Sequence, residues 1–417
     1  MFDISKRLLY YKKKEVQKLI VDSSIDKEVG IRYGNRGYGK RPDIFVYPND
    51  VMETVKKGAT SFHVSEERWI NPLDISTNMS RKELDELRSG WDLVLDIDCP
   101  YWFLSKLTTH MFILALKEHK IKSISCKFSG NKGFHIGVPY EAFPTEVNSI
   151  PVKNWFPDGP KKIALYLLNY ITTNFIKVKK DEIIFVDKYR TNIQQISKIT
   201  GKGIDELSKN QCTKCKKELK NIEEKNKIEY LCSKCGNRMF MNEHKIMVCQ
   251  KCSSLMKKIE HESSLCDCGS NDYETIFNPL SIVEVDTILI SSRHMYRAPY
   301  GMHEKSGLIS LPIKPDEVMK FEKEIASPDN FDNVEKLIFL DSRNAQNNEA
   351  TQLMINSFDI GKEHFVYKKT QDIFSNENKK EKTKVPHFRR SLRFPFSIVR
   401  NWIGIYGEQP GLYANKF

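Results

Sequence analysis

The sequence predicts a mixed α/β protein in which a central mixed sheet is flanked by helices and carries a small inserted module. Two observations predict the core: an apolar run at 91–98 suits a buried strand, and the stretches 102–120 and 160–178 have helical composition or spacing. A third observation predicts the module, because eight of the ten cysteines lie between Cys212 and Cys268. The expected boundaries are a first core part over 1–205, the module over 206–272, and a second core part over 273–417 that ends in a basic segment.

Composition favours a polyanionic partner. The chain has 417 residues, 40% of them hydrophobic, which is enough to bury a large core. Its formal net charge of +12 is typical of proteins that bind nucleic acid, although many basic proteins do not. The first residues lack an apolar region with a cleavage site, and the longest apolar stretches are too short to cross a bilayer. We therefore expect a soluble, intracellular protein without a membrane role.

The strongest candidate for chemistry is a pair of carboxylates. Asp96 and Asp98 end the apolar run, and residues i and i+2 of a strand project from the same face. A divalent cation such as Mg²⁺ or Mn²⁺ would relieve the repulsion between them. Asp286, in a predicted strand over 281–290, would add the third carboxylate of a two-metal site. The alternatives are a strand-end DxD, which glycosyltransferases, hydrolases and plain loops also contain, and a strand-edge acid at 286.

Two further segments suit phosphate binding. The predicted strands 121–128 and 135–138 are joined by a glycine-bracketed turn, in which the backbone can approach an anion closely. The candidate phosphate contacts in this turn are Ser129, Gly130, Lys132, Gly133 and His135. In the segment 293–308 they are Arg293, Arg297, His303 and Lys305. The alternatives are an ordinary hairpin turn and a basic surface loop.

Two other basic stretches complete this pattern. Residues 32–41 are rich in Gly, Arg and Tyr and contain no acid. We expect them either to contact phosphates and bases or to form an ordinary solvated turn. Between Lys362 and Arg393 there are ten Lys or Arg against four Asp or Glu, which predicts a basic surface strip.

The cysteines predict two structural Zn²⁺ sites. Paired CxxC motifs at this separation are typical of zinc ribbons, in which four thiolates hold the ion tetrahedrally. We expect consecutive pairs to share an ion, with a crossed arrangement as the alternative and His244 and His261 as spare ligands. The first site would then consist of Cys212, Cys215, Cys232 and Cys235, and the second of Cys249, Cys252, Cys266 and Cys268. The module would bind template DNA, bind a partner protein or have a purely structural role.

Taken in chain order, these motifs resemble the small catalytic subunit of archaeal and eukaryotic DNA primases. The resemblance rests on a strand ending in DID, then SGxxGxH, then a later Asp followed by RxPxxxHxKxG, and it covers about 90–140 and 280–312. The matching residues are Asp96, Asp98, Ser129, Gly130, Gly133, His135, Asp286, Arg297, Pro299, His303, Lys305 and Gly307.

The resemblance implies a primase catalytic core and a mechanism. Asp96, Asp98 and Asp286 would be the catalytic acids that bind Mg²⁺ or Mn²⁺. Ser129, Lys132 and His135 would contact the incoming triphosphate from one side, and Arg297 and His303 from the other. The activity implied is synthesis of short RNA or DNA primers from nucleoside triphosphates on a single-stranded DNA template. The implied partners are a primase large subunit and the replication polymerase and helicase machinery, in the cytoplasm or nucleoid of an archaeon-like cell.

The sequence also departs from the family pattern. Asn131–Lys132 stands where members often carry a basic pair, and 99–127 holds only Cys99 and Cys126 where many have a zinc knuckle. The rival functions are a gap-filling or translesion primase-polymerase of the same superfamily and a non-catalytic zinc-ribbon protein that binds nucleic acid. A DxD glycosyltransferase is a further rival, which the cysteine module and the second basic segment disfavour.

Overall fold

A computed structural model of the chain describes residues 4–179, 182–219, 228–241, 246–259, 266–283, 285 and 291–359. The α-helices are α1 Ile4–Lys12, α2 Lys14–Asp22, α3 Pro48–Lys56, α4 Arg81–Leu87, α5 Trp102–Glu118, α6 Asp158–Asn174, α7 Ile193–Thr200, α8 Ile204–Leu207 and α9 Thr351–Asp359. The strands are β1 Val29–Arg32, β2 Ser61–Ser65, β3 Glu67–Trp69, β4 Arg88–Trp91, β5 Leu93–Ile97, β6 Ser125–Phe128, β7 Phe134–Val138, β8 Glu146–Val147, β9 Ile150–Pro151, β10 Ile176–Lys179, β11 Glu182–Phe185, β12 Tyr189–Thr191, β13 Ser208–Cys212, β14 Glu218–Leu219, β15 Ile228–Cys232, β16 Arg238–Met241, β17 Met256–Ile259, β18 Tyr273–Phe277, β19 Met295–Arg297 and β20 Pro312–Ile313. Short 3₁₀ turns connect many of these elements and dominate the stretch 315–344.

A four-stranded sheet, here called the acidic sheet, has the order β20–β6–β7–β5. Its register places Asp96 opposite His135, and His135 opposite Lys127 on the next strand. Because β5 is mainly apolar, it is buried on both faces, and only its carboxyl end becomes polar. The strand predicted at 91–98, the helix predicted at 102–120 and the hairpin that brackets the SGNKG turn are confirmed.

Two long helices support the acidic sheet. In α6, residues Ile163, Leu167 and Ile171 recur at helical spacing and are fully buried. Helix α5 buries apolar residues around most of its circumference, among them Leu107 and Met111. Since β5 runs directly into α5 through the four residues 98–101, this packing fixes the position of Asp98 at the sheet edge.

A second sheet, here called the basic sheet, has the order β1–β2–β19. Phe62 on β2 points into the core, where its ring meets that of Tyr11. The alternation of a strand turns the neighbouring residue, His63, to the other face. There the register pairs His63 with Arg297 of β19.

The predicted mixed α/β composition is confirmed, but the described residues contain no central mixed sheet. Every strand pair that the structure describes is antiparallel, and the strands form several small sheets. The crossover through α5 makes β6 run parallel to β5, but β7 lies between them, so the two are never neighbours. The strand predicted at 281–290 is described only in part: Pro279–Ser281 is a 3₁₀ turn, and residues 284 and 286–290 lie outside the described residues.

The cysteine-rich module leaves the core as a pair of strands. The strand β13 pairs with β18 from Ser208 opposite Phe277 to Cys212 opposite Tyr273. Phe277 and Leu207 at the base are buried in the main core, which anchors this ribbon.

The basic strip predicted over 362–393 lies outside the described residues. Among the helices that the structure describes, none is long and apolar enough to cross a membrane.

Candidate active site and metal centres

Asp96 and Asp98 lie at the carboxyl end of β5, each beside a potential cation. The Asp96 Oδ1 atom is 3.5 Å from His135 Nε2, and the Asp98 Oδ1 atom is 3.4 Å from Lys132 Nζ. The Asp96 side chain is 24% exposed and that of Asp98 is 52% exposed. Both carboxylates are therefore held among donors and remain reachable from solvent.

The SGNKG turn is tied closely to the acid-bearing strand. The Ser129 amide donates to the Gly133 carbonyl at 2.9 Å, and the Gly133 amide donates to Ser129 Oγ at 3.2 Å. A Cβ atom on Gly133 would lie 2.2 Å from the carbonyl oxygen of Ile97, so a side chain there would push the turn off β5. Gly133 thus lets the turn approach the strand that carries the acids, and the expected approach of the turn to an anion stays a prediction.

The same turn packs on the basic segment that follows β19. The Ser306 hydroxyl donates to the Gly130 carbonyl. Gly130 has φ +97°, and a Cβ atom on it would lie 2.9 Å from His303 Cβ. Motifs that are more than a hundred residues apart in sequence, one at 129–133 and one at 297–307, therefore form one surface.

Of the predicted phosphate contacts in 293–308, Arg293 is instead paired with the buried Glu28 at 2.6 Å. Arg297 and His303 are partly held by neighbours. Arg297 is 9% exposed, and its Nη2 atom lies 2.8 Å from Glu304 Oε2. Burial, reinforced by the positive charge of Arg297, lowers the pKa of His303 to about 4. Its Nδ1 atom accepts a hydrogen bond from the Lys305 amide at 3.2 Å, and the Lys305 side chain is exposed. At neutral pH this side of the site presents one buried guanidinium, a neutral imidazole and one exposed ammonium.

Sequence reasoning missed two residues beside the site, Lys127 and His63. Lys127 is fully buried, and its Nζ donates to Ser310 Oγ at 2.8 Å beneath the Tyr296 ring. Burial and the charge of Arg297 hold the pKa values of both Lys127 and His63 well below their usual values. A lysine inside an apolar strand was the available signal for Lys127, whereas His63 depends on strand register.

His135 is buried in the same group. Burial, with the charges of Lys127 and Arg297, holds its pKa well below the ordinary value for histidine. The Nδ1 atoms of His135 and His63 have no hydrogen-bond partner among the described residues. Unpaired buried nitrogens of this kind are uncommon, and each could form a hydrogen bond with a bound group.

Asp92 does not belong to this group, although it lies on the same strand face. It is fully buried and binds Lys27 at 2.6 Å and Arg68 at 2.5 Å. Burial opposes ionisation, but these two cations hold the pKa of Asp92 below its usual value. Its role is to join β5 to the N-terminal part of the chain.

The third predicted acid cannot be placed in the same way. Asp286 and its neighbour Glu284 both lie outside the described residues. That Asp286 joins Asp96 and Asp98 stays a prediction.

The segment 32–41 lies beside the basic sheet. Arg41 forms an ion pair with the buried Glu28 at 3.0 Å, and Arg32 lies 3.3 Å from Glu304. The Tyr38 ring packs edge-on against His63 at 5.2 Å and remains 45% exposed. Two of the four cations of this segment are thus paired, Arg36 and Lys40 are exposed, and Tyr38 is an accessible ring.

The eight clustered cysteines form two groups of four, which fit structural zinc. Within each group the Sγ atoms all lie within 4.8 Å of one another. Four thiolates at such separations match a tetrahedral Zn²⁺ site with Zn–S bonds of about 2.3 Å. No disulfide joins any of these cysteines. A site of four thiolates has no open position, so it is structural in type.

The predicted pairing of consecutive motifs is wrong, because the four pairs are nested. Cys212 and Cys215 meet Cys266 and Cys268, while Cys232 and Cys235 meet Cys249 and Cys252. The strand pairs explain this: β13 with β18 brings the outer motifs together, and β15 with β17 the inner ones. The proposed spare ligands His244 and His261 lie outside the described residues.

Comparison with known proteins adds no family to this description. The chain matches no family model and no curated protein sequence.

Proposed function

We propose that the chain is the catalytic subunit of a DNA primase, which joins nucleotides on a single-stranded DNA template. The observation that carries the proposal is the meeting of three motifs. Asp96 and Asp98 end β5, Lys132 and His135 lie 3.4 and 3.5 Å from them, and the segment 297–307 packs on the same turn. Carboxylates flanked by cation-capable side chains suit metal-assisted phosphoryl transfer.

The carboxylate pair fits a divalent metal. Its oxygens are the hard donors that Mg²⁺ and Mn²⁺ prefer, and both side chains reach solvent. Asp96 and Asp98, with Asp286, would hold the ions. When bound, such ions activate the attacking hydroxyl and neutralise the leaving pyrophosphate.

The remaining side chains would bind and orient the triphosphate. Lys132 is 40% exposed, so its ammonium can leave Asp98 for a phosphate oxygen once a metal neutralises the carboxylate. Arg297 is held by Glu304 and the Met302 carbonyl, which fixes its guanidinium before substrate arrives. His303 and Ser129 border the same turn, where they would contact the phosphates from opposite sides.

The substrates and partners follow from the resemblance and from charge. The formal net charge of +12 suits binding of a template strand. This binding would be electrostatic and would weaken as the salt concentration rises. The proposed partners are a primase large subunit and the replication machinery. A primase-polymerase of the same superfamily would use the same carboxylates, and it would extend existing primers with deoxynucleotides without starting chains.

A direct test is primer synthesis on single-stranded DNA with nucleoside triphosphates and Mg²⁺ or Mn²⁺. Asp98→Ala should lower synthesis by about a hundredfold or more, because the transition state loses a charge-stabilising ligand. Asp332→Asn is the matched control, since that carboxylate is 68% exposed and pairs only with Lys13 among the described residues. Equal synthesis by Asp98→Ala and wild type would refute the proposal.

The zinc clusters support one other function, a non-catalytic zinc-ribbon protein that binds nucleic acid. The two Cys groups are the observation that favours it. It predicts DNA binding without synthesis, unchanged in Asp96→Ala and Asp98→Ala. A non-catalytic function does not explain the carboxylates and cations at the end of β5, so we prefer the enzyme.

A further inference from the structure

The amino end of α5 carries a cluster of rings and ammonium groups that no motif predicted. Phe103 is 45% exposed, and its ring meets that of Tyr189 edge-on at 6.1 Å. The Lys188 Nζ atom lies 5.3 Å from the centre of the Tyr189 ring. We call Trp102, Phe103, Lys188, Tyr189 and Lys323 the α5 platform.

The α5 platform is close to the carboxylates. Four residues separate Asp98 from Phe103, so their Cα atoms are at most about 18 Å apart. Trp102 stacks on Phe134 with 5.4 Å between ring centres, and Phe134 is the strand partner of Ile97. The α5 platform is therefore fixed to the strands that present Asp96 and Asp98.

Two lysine side chains lie over these rings. Lys323 Nζ lies 4.7 Å from the centre of the Trp102 ring, and neither Lys323 nor Lys188 forms an ion pair among the described residues. The nearby Glu322 is already engaged by Lys106 at 2.8 Å and by the Trp102 indole at 3.1 Å. Further along α5, burial and the charge of Lys188 together lower the pKa of His110.

We infer that the α5 platform binds single-stranded nucleic acid, with bases stacked on Phe103 and Tyr189 and phosphates held by Lys188 and Lys323. An exposed ring and a half-buried ring, beside lysines that form no ion pair among the described residues, are the combination that such strands require, because every base has a stacking face and every linkage a negative charge. A purely apolar protein partner would not use the ammonium groups. The inference rests on the proposed function, since it states where the strand would leave the carboxylates.

The test measures binding of the zinc-loaded full chain to a fluorescent oligo(dT) by anisotropy, without metal or triphosphate at the carboxylates. Phe103→Ala should weaken binding by about fivefold to a hundredfold, and Phe103→Tyr should restore it, because stacking needs only a ring. Lys188→Ala should reduce the slope of log affinity against log salt by about 0.7. Tyr47→Ala is the control, since Tyr47 is an exposed aromatic residue outside the α5 platform, at 68% exposure.

Wild-type affinity and salt slope in both Phe103→Ala and Lys188→Ala would overturn the inference. Lys188 lies on an exposed turn, so its variant stays informative even where Phe103→Ala fails to fold. The two proposals fail separately. If the wild type synthesises primers but its DNA binding does not depend on Phe103 or Lys188, only the inference about the α5 platform is refuted. If DNA binds through these residues but no primer is made, only the primase proposal is refuted.

Discussion

At the residue scale, burial and neighbouring positive charges lower the pKa values of three side chains near Asp96. His135, Lys127 and His63 are buried together near Arg297, and each has a pKa well below its usual value. Burial is the largest cause in each case, and the neighbouring positive charges add to it. A polyanion placed among these groups would reverse the effect, since its charges favour the protonated forms.

His303 turns this into a pH prediction. With a pKa of about 4 in the free protein, its imidazole is neutral at pH 6 to 8. A bound triphosphate would raise that pKa, so binding should take up protons and tighten as the pH falls from about 8 to about 6. Calorimetry in buffers of different ionisation enthalpy measures the uptake.

The control for this effect is His303→Gln, which cannot be protonated. It should bind the triphosphate with a smaller uptake of protons. Equal uptake in the variant and the wild type would remove His303 from the phosphate site, and no uptake in the wild type would contradict the charge argument as a whole.

At the element scale, the turn between β6 and β7 depends on Gly133. Any side chain there meets the Ile97 carbonyl, since a Cβ atom would lie only 2.2 Å away. Gly133→Ala should lower the free energy of unfolding by about 1–3 kcal/mol or more and abolish synthesis, because β7 and the turn must move from β5. Thermal unfolding and primer assays check both effects.

Gly203→Ala is the matched control for this substitution. Nothing lies within 4 Å of the position that its Cβ would occupy, so we expect a change below about 1 kcal/mol. Equal stability of Gly133→Ala and Gly203→Ala would contradict the packing described between the turn and the acid-bearing strand.

Local elements and the hairpin around the SGNKG turn could be predicted from the sequence, but the pairing of distant strands could not. The strand at Leu93–Ile97, the helix Trp102–Glu118 and the hairpin around 129–133 have clear periodicity and turn residues, which act over a few neighbours. The sheet order and the antiparallel pairing depend on contacts between distant segments. For the same reason His63 was missed, because only the register of β2 with β19 places it beside Arg297.

In the candidate site, too, features that depend on local spacing could be predicted, and features that depend on distant contacts could not. The presence of Asp96 and Asp98 on one strand end followed from their spacing, and so did the glycines of the turn. The nesting of the cysteine pairs did not, since four similar motifs allow several pairings and strand pairing alone selects one. Nothing in the spacing of Lys127 revealed that its Nζ would be buried against Ser310.

At the scale of the whole molecule, the N-terminal helix α1 supports the segment 297–307. Tyr10 Oη donates to the Tyr300 carbonyl at 2.8 Å, and the Met302 amide donates to Tyr11 Oη at 2.8 Å. Both tyrosine rings are almost fully buried. The segment that carries Arg297 and His303 is thus held by residues from the opposite end of the described chain.

The zinc module allows the nested arrangement to be tested by counting metal. The double variant Cys212→Ser/Cys268→Ser removes ligands from the outer group only, so it should retain about one Zn²⁺ per chain, where we expect two in the wild type. Consecutive pairing would place one of these substitutions in each site and leave none. Mass spectrometry of the metal content separates the two results, and Cys232→Ser/Cys252→Ser should also retain one.

The central claim is that Asp96, Asp98 and Asp286 share the divalent ions that serve nucleotidyl transfer, and Mn²⁺ binding measured by electron paramagnetic resonance tests it most directly. With a non-hydrolysable triphosphate and the zinc-loaded protein, we expect two Mn²⁺ per wild-type chain and per Asp332→Asn chain. Asp98→Asn and Asp286→Asn should each lose at least one of them. Unchanged Mn²⁺ binding in Asp286→Asn, or in Asp98→Asn, would contradict the account.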